Sequence, residues 1–116
     1  MKIETTKRLH DALTACNDLL ELSSGKDYEW YRRERYGRLA AERLLEIIGE
    51  ALSVAVQSSP DLKTLLPESR DAIGLRNRIV HGYDKLDDKI VWDTIHDSIP
   101  SLVNELERIL DKQSPA

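Results

Sequence analysis

Three features of this 116-residue sequence predict an all-α fold. Four stretches carry apolar residues at spacings of three and four, the period of a helix buried along one side. The chain has five glycines and four prolines, too few for the turns of a many-stranded sheet. Short Ser-, Gly- and Pro-containing segments separate the stretches, as helix ends require.

The first helix is expected over residues 4–23, with Leu9, Leu13, Cys16 and Leu20 as its stripe and Gly25 closing its C-terminus. A long second helix is expected over 27–58, with Asp27 as N-cap. Its predicted core face is Ala40, Leu44, Ile47, Ile48, Ala51 and Ala55, within about 100° of one another. Traced backwards, that stripe meets Gly37 and Arg33, so the early part of the helix should overhang the core. Ser58, Ser59 and Pro60 end the helix, and residues 61–67 read as a connector with a short turn at DLKTLL. A third helix is expected over 68–82, ended by Gly82, and GYDKLDD reads as a loop. The fourth stretch, 88–112, carries Ile95, Ile99, Leu102, Leu106 and Ile109. Pro100 lies inside it and predicts a kink or a restart, capped by Asp97 or Ser98.

Composition narrows the function. A hydrophobic fraction of 41% and a charged fraction of 33% fit a globular chain, and no apolar run approaches the length of a membrane helix. The start, MKIETTKRLH, lacks the apolar segment of a signal peptide, so the cytoplasm is the expected location. Cys16 has no cysteine partner, and three scattered histidines (His10, His81 and His96) do not complete a zinc site with it. No metal and no cofactor are therefore expected. The net charge of −4 is uneven: residues 1–83 hold 13 acids and 13 bases, whereas 84–116 hold 8 acids and 4 bases. That is not the broad basic surface of a protein that clamps duplex DNA. A local basic cluster exists at Arg32, Arg33, Arg35, Arg38 and Arg43, which reads either as a solvated face or as a lip that attracts phosphates. Arg33 in this cluster and Arg78 in the third helix are candidate RNA or phosphate contacts. Trp30, Tyr31 and Tyr36 beside them can either stack bases or pack against a neighbouring helix.

The third helix carries the chemistry. With Arg76 at zero on a helical wheel, Ala72 and Ile79 fall about 40° and 60° to one side and Val80 and Ile73 about 40° and 60° to the other. An arginine in an apolar stripe needs a carboxylate partner or a functional cavity, because desolvating its charge costs several kcal/mol. Glu42, Glu46 and Glu50 are the candidate partners. Asn77 and His81 lie one turn apart, so the amide can orient the imidazole or a substrate. Arginine grips phosphate oxygens and stabilises their developing charge, and histidine moves protons near neutral pH. In RNA the 2′-hydroxyl supplies the nucleophile, so Arg76, Asn77 and His81 suit metal-free phosphodiester cleavage. The reaction uses an acid and a base, and two copies of the chain would bring two histidines together.

The segment LRNRIVHGYDKLDDKIVWDTI, residues 75–95, resembles the HEPN superfamily and specifically its HepT-like branch. The family's motif of Arg, four residues, His, any residue and Tyr is met by Arg76, His81 and Tyr83, with Asn77 directly after the arginine. AAERLLEIIGEAL (40–52) and IVWDTIHDSIPSLVNELERIL (90–110) resemble the family's long second and last helices. The resemblance implies an up-and-down bundle of four to five helices over 1–112, followed by a frayed tail at 113–116, and a homodimer whose two motifs meet at a cleft. It further implies a toxin of a prokaryotic toxin–antitoxin pair that acts on RNA as a metal-independent endoribonuclease and leaves 2′,3′-cyclic phosphate ends. The partner would be a minimal nucleotidyltransferase antitoxin that adenylylates Tyr83. Arg76 would then stabilise phosphate charge, His81 transfer the proton and Asn77 orient one of them. Two other readings use the same residues: a non-catalytic dimeric interaction module for a nucleotidyltransferase, and a nucleotide-binding subunit that grips ATP or AMP.

Overall fold

The structure is a computed structural model that describes residues 1–113, the side chains of Tyr83 and Gln113 excepted. Six helices follow one another: α1 (Ile3–Ser23), α2 (Tyr28–Arg33), α3 (Arg35–Ser58), α4 (Leu62–Leu65), α5 (Ser69–His81) and α6 (Asp88–Gln113). A 3-10 turn, Tyr83–Lys85, links α5 to α6, and no strand occurs among the described residues. The long helices α1, α3, α5 and α6 form the bundle. α3 packs on α1 along one side and on α5 along the other, and α6 closes the far side of α1. Of the expected tail, Gln113 ends α6 and residues 114–116 lie outside the described residues.

The second helical stretch is broken rather than continuous. Asp27 caps α2 as expected, its carboxylate accepting from the Trp30 N–H at 2.8 Å. The chain leaves helical geometry at Glu34 and restarts at once, with the Glu34 side chain accepting from the Tyr36 N–H at 3.3 Å. Arg38 secures the break. Its guanidinium donates to the Tyr31 carbonyl at 3.1 Å and to the Arg32 carbonyl, two of the acceptors left open at the end of α2. The break turns Tyr31 fully into the core beside Trp92 of α6, with ring centroids 5.4 Å apart, and seats Trp30 on Gly37. Tyr31 and Trp30 are therefore packing residues, while Tyr36 stays exposed.

The opposite correction applies to α6, which runs through Pro100 with no restart. Asp97 and Ser98 do not cap it. The cap is Asp87, whose carboxylate accepts from the Lys89 and Ile90 N–H groups at 2.8 and 3.4 Å. A proline costs a helix one backbone hydrogen bond, and burial of Ile95, Ile99, Leu102 and Leu106 around it outweighs that loss.

Two core faces are rotated from their predicted positions. In α1, Ala12, Ala15 and Leu19 are buried with Leu9 and Cys16, while Leu13 and Leu20 are only half-buried. In α3, Ala41, Leu45, Ile48, Leu52 and Ala55 form the face, and Ala40 is exposed. Both helices pack against two neighbours, so each buries a wider arc than a single stripe describes. Burial also pushes the Cys16 thiol up to about 12, which makes it a packing group rather than a nucleophile.

Candidate active site on α5

Helix α5 begins where α6 meets it: the Glu68 N–H donates to Oε1 of Glu105 at 3.3 Å. It ends where Gly82 lets the chain leave, with the Gly82 N–H bonded to the Arg78 carbonyl at 2.8 Å. Its buried face is Ala72, Leu75 and Ile79, whereas Val80 is exposed. Leu75 draws the buried arc to one side, so Arg76 lies at its edge and not at its centre. This corrects the expected position of the arginine.

Three neighbours hold Arg76. Its stem crosses Gly49 of α3, where an added Cβ would lie 2.3 Å from the Arg76 Cβ and 2.7 Å from its Cγ. Nη2 donates to Oε2 of Glu50 at 3.0 Å, and Nη1 donates to Oδ1 of Asn77 at 3.1 Å. Of the three candidate carboxylates, Glu50 is thus the partner. Glu46 pairs instead with Arg43 at 3.1 Å. Glu42 is buried near Arg38 and Asp88, and its carboxyl is raised above the ordinary range by burial first and by Asp88 second, with Arg38 opposing. The Arg76 side chain is 27% exposed and that of Glu50 54%, so theirs is a surface pair rather than a sealed ionic core. The guanidinium faces a groove of about 590 Å³ between α1, α3 and α5, which Arg8, Arg43 and Val80 also line.

Asn77 and His81 occupy the outward face of α5, and both are exposed. Among the described residues Asn77 bonds Arg76 and not His81. His81 is five positions after Arg76, an angle of about 140° around the helix axis. The structure therefore brings Arg76 to Asn77 and leaves His81 open one turn beyond. Tyr83 begins the 3-10 turn two residues later, and its side chain lies outside the described residues. Arg78 is exposed on the same outward face. Arg33 lies apart from α5: its side chain is 77% exposed and pairs with Glu29 at 3.6 Å. Among the described residues no group of three or more His, Cys, Asp or Glu side chains is placed to hold a metal ion, and no helix is long and apolar enough to cross a membrane.

Sequence reasoning missed Gly49. A glycine costs a helix interior about 1 kcal/mol relative to alanine, so one set in the apolar segment EIIGEAL signals a close approach.

The sequence matches known proteins over nearly its whole length. The family model for HepT-like ribonucleases (Ribonuclease HepT-like) matches residues 12–109. The protein named "Putative RNase MJ1380" from Methanocaldococcus jannaschii is 31% identical over 101 residues, covering 85% of this chain and 90% of its own. "Probable ribonuclease HepT" from Thermococcus cleftensis is 30% identical over 111 residues, covering 94% of this chain and 98% of its own. No solved structure matches the chain. A family model that spans residues 12–109, with relatives 30% and 31% identical over most of both chains, shows that the chain belongs to the HepT-like ribonuclease family.

Proposed function

We propose that the chain is the toxin component of a prokaryotic toxin–antitoxin pair and cuts RNA as a metal-independent endonuclease. The observation that carries the reading is Arg76. Gly49 seats its stem at the edge of the core, Glu50 and Asn77 hold its guanidinium, and His81 stands uncovered on the same helix. In the reaction, the 2′-oxygen of a ribose attacks the adjacent phosphorus while its proton passes to a base. The bond from phosphorus to the 5′-oxygen breaks, and that oxygen takes a proton from an acid. The products are a 2′,3′-cyclic phosphate and a 5′-hydroxyl end. Arg76 neutralises charge on the phosphate oxygens. Asn77 orients the guanidinium, to which it is already bonded, and His81 transfers protons.

A single chain offers one histidine at this face, so a homodimer supplies both acid and base. Arg33 and Arg78 are further candidate phosphate contacts, and Arg78, on the face of His81, is the better placed. The partner is a minimal nucleotidyltransferase that transfers AMP from ATP to the Tyr83 oxygen and releases pyrophosphate. Tyr83 follows His81 by two residues. An AMP group there adds a negative phosphate and a bulky nucleoside next to the histidine, excluding RNA by charge and volume. The cytoplasm is the proposed site of action.

The test is co-expression with the cognate nucleotidyltransferase, with intact-mass and tyrosine mapping, followed by RNA cleavage in EDTA by modified and unmodified protein. AMP on Tyr83 with cleavage by unmodified protein alone agrees with the whole reading. Cleavage that survives modification removes the switch and keeps the ribonuclease.

A further inference from the structure

Helix α5 carries a second feature on its outward side. Arg70, Gly74 and Arg78 lie at i, i+4 and i+8, a row about 12 Å long on one helix face. The row borders a cleft of about 380 Å³ between α5 and α6, floored by Leu75 and Ile90, with Asp71 as the one acid in its lining. Three observations single the row out. First, Arg32, Arg33, Arg38, Arg43 and Arg76 each lie within 4.0 Å of a carboxylate, whereas among the described residues Arg8, Arg35, Arg70, Arg78 and Arg108 form no ion pair, and of these five only Arg70 and Arg78 share a helix. Second, a Cβ added at Gly74 would meet nothing within 4 Å. A mid-helix glycine costs about 1 kcal/mol, and here no packing within the chain accounts for it. Its effect is to leave clearance between two cations. Third, Ile90 in the lining of the cleft is 46% exposed, an apolar surface beside the charges.

We infer that the Arg70–Gly74–Arg78 row is a substrate-holding site that binds the backbone phosphates of single-stranded RNA a few nucleotides from the bond cut at His81. The identity of the ligand rests on the ribonuclease reading. Gly74 and Arg70 lie within about 20° of His81 around the axis, and Arg70 is about 16 Å from it along the helix, so one strand can follow the face from histidine to cleft. The two arginines contact phosphates, the missing side chain at Gly74 lets the backbone approach, and the Leu75–Ile90 floor takes an unpaired base or ribose. A duplex buries its bases and cannot use that floor.

The experiment measures binding of a short single-stranded 2′-O-methyl oligonucleotide, which lacks the attacking hydroxyl, by fluorescence anisotropy across a salt series. Arg70→Gln combined with Arg78→Gln is expected to weaken binding about tenfold at low salt and to lower the salt slope by about 1.4, the loss of two phosphate contacts. Gly74→Asp, which keeps both arginines and places a carboxylate between them, is expected to weaken binding in the same direction. The urea midpoint of the double arginine variant should match the wild type, because both positions are exposed, and that of Gly74→Asp should not fall below it, because aspartate replaces a mid-helix glycine. Unchanged affinity and slope, or a wild type that does not bind the oligonucleotide, overturns the site. So does a change in sedimentation with RNA affinity intact, which would make the row a contact between copies. Binding that depends on the row in a protein that cuts no natural RNA would instead count against the proposed reaction and leave the site standing.

Discussion

The two faces of α5 are built on opposite principles, and two glycines mark the difference. Gly49 of α3 lies under the inward edge, where an added Cβ would come within 2.3 Å of the Arg76 side chain. Gly74 lies on the outward face, where an added Cβ would meet nothing. One glycine lets two helices close on an arginine, and the other leaves a surface open to something outside the chain. The inward face holds a cation in a fixed pose, since Glu50 and Asn77 each take one of its terminal nitrogens. The outward face presents Asn77, His81, Arg70 and Arg78 to solvent. A phosphodiesterase uses both kinds of surface: a preorganised charge that pays no reorganisation during reaction, and an accessible proton-transfer group.

The largest expected effects are on cleavage. Arg76→Ala and His81→Ala should each lower RNA cleavage by about 10²-fold or more, measured on a labelled RNA with EDTA present. Their stabilities should fall little: His81 is exposed, and Arg76→Ala loses a partly exposed pair, of the kind that contributes about 0–1 kcal/mol, together with the packing of its stem on Gly49. A large fall in urea midpoint for Arg76→Ala would show that the inward face serves the fold rather than the reaction.

The glycines break the comparison in opposite directions. Gly49→Ala should destabilise the fold by about 1–3 kcal/mol, since α3 and α5 must move apart, and cleavage should fall with it as Arg76 shifts. Gly74→Ala should stabilise by about 0.5–1 kcal/mol. Urea denaturation of the two variants reads both signs, and equal effects would erase the distinction between the faces.

Two carboxylates of α3 sharpen it at smaller scale. Glu50 is exposed and paired, whereas Glu42 is buried and its carboxyl is raised, chiefly by burial. A raised carboxyl favours the fold in its protonated form, so its contribution is full below the ordinary carboxylate range and is lost as pH rises through the raised value. Glu42→Gln should therefore be more stable than the wild type at neutral pH, with the advantage vanishing in acid, as thermal melts across pH would show. The smallest effect is expected at Arg33→Gln: its exposed pair with Glu29 should leave stability within about 0.5 kcal/mol and cleavage nearly unchanged.

Much of this was legible in the sequence, and the exceptions have physical reasons. The helices at 3–23 and 69–81, the short turn at 62–65, the cap at Asp27 and the Arg76–carboxylate pairing follow from spacing and residue type. The break at Glu34 was not legible, because what holds it is Arg38 reaching back six and seven residues and Tyr31 packing on Trp92 sixty residues away. Uninterrupted helix through Pro100 is likewise a tertiary effect, in which core burial overrides a local breaker. The wheel placed Arg76 mid-stripe because it left out Leu75, whose burial moves the centre of the face. Choosing Glu50 over Glu42 and Glu46 required knowing how α3 is rotated, and that rotation depends on two neighbouring helices at once.

The most direct test of the account is cleavage of one RNA, with EDTA present, by wild type, Arg76→Ala, His81→Ala and an equimolar mixture of the two variants after subunit exchange. The account predicts that wild type cuts, that neither variant cuts alone, and that the mixture stays inactive as well, because a mixed dimer keeps one histidine where the reaction uses two. Variants that cut RNA as well as the wild type would contradict the assignment of α5 as the active helix.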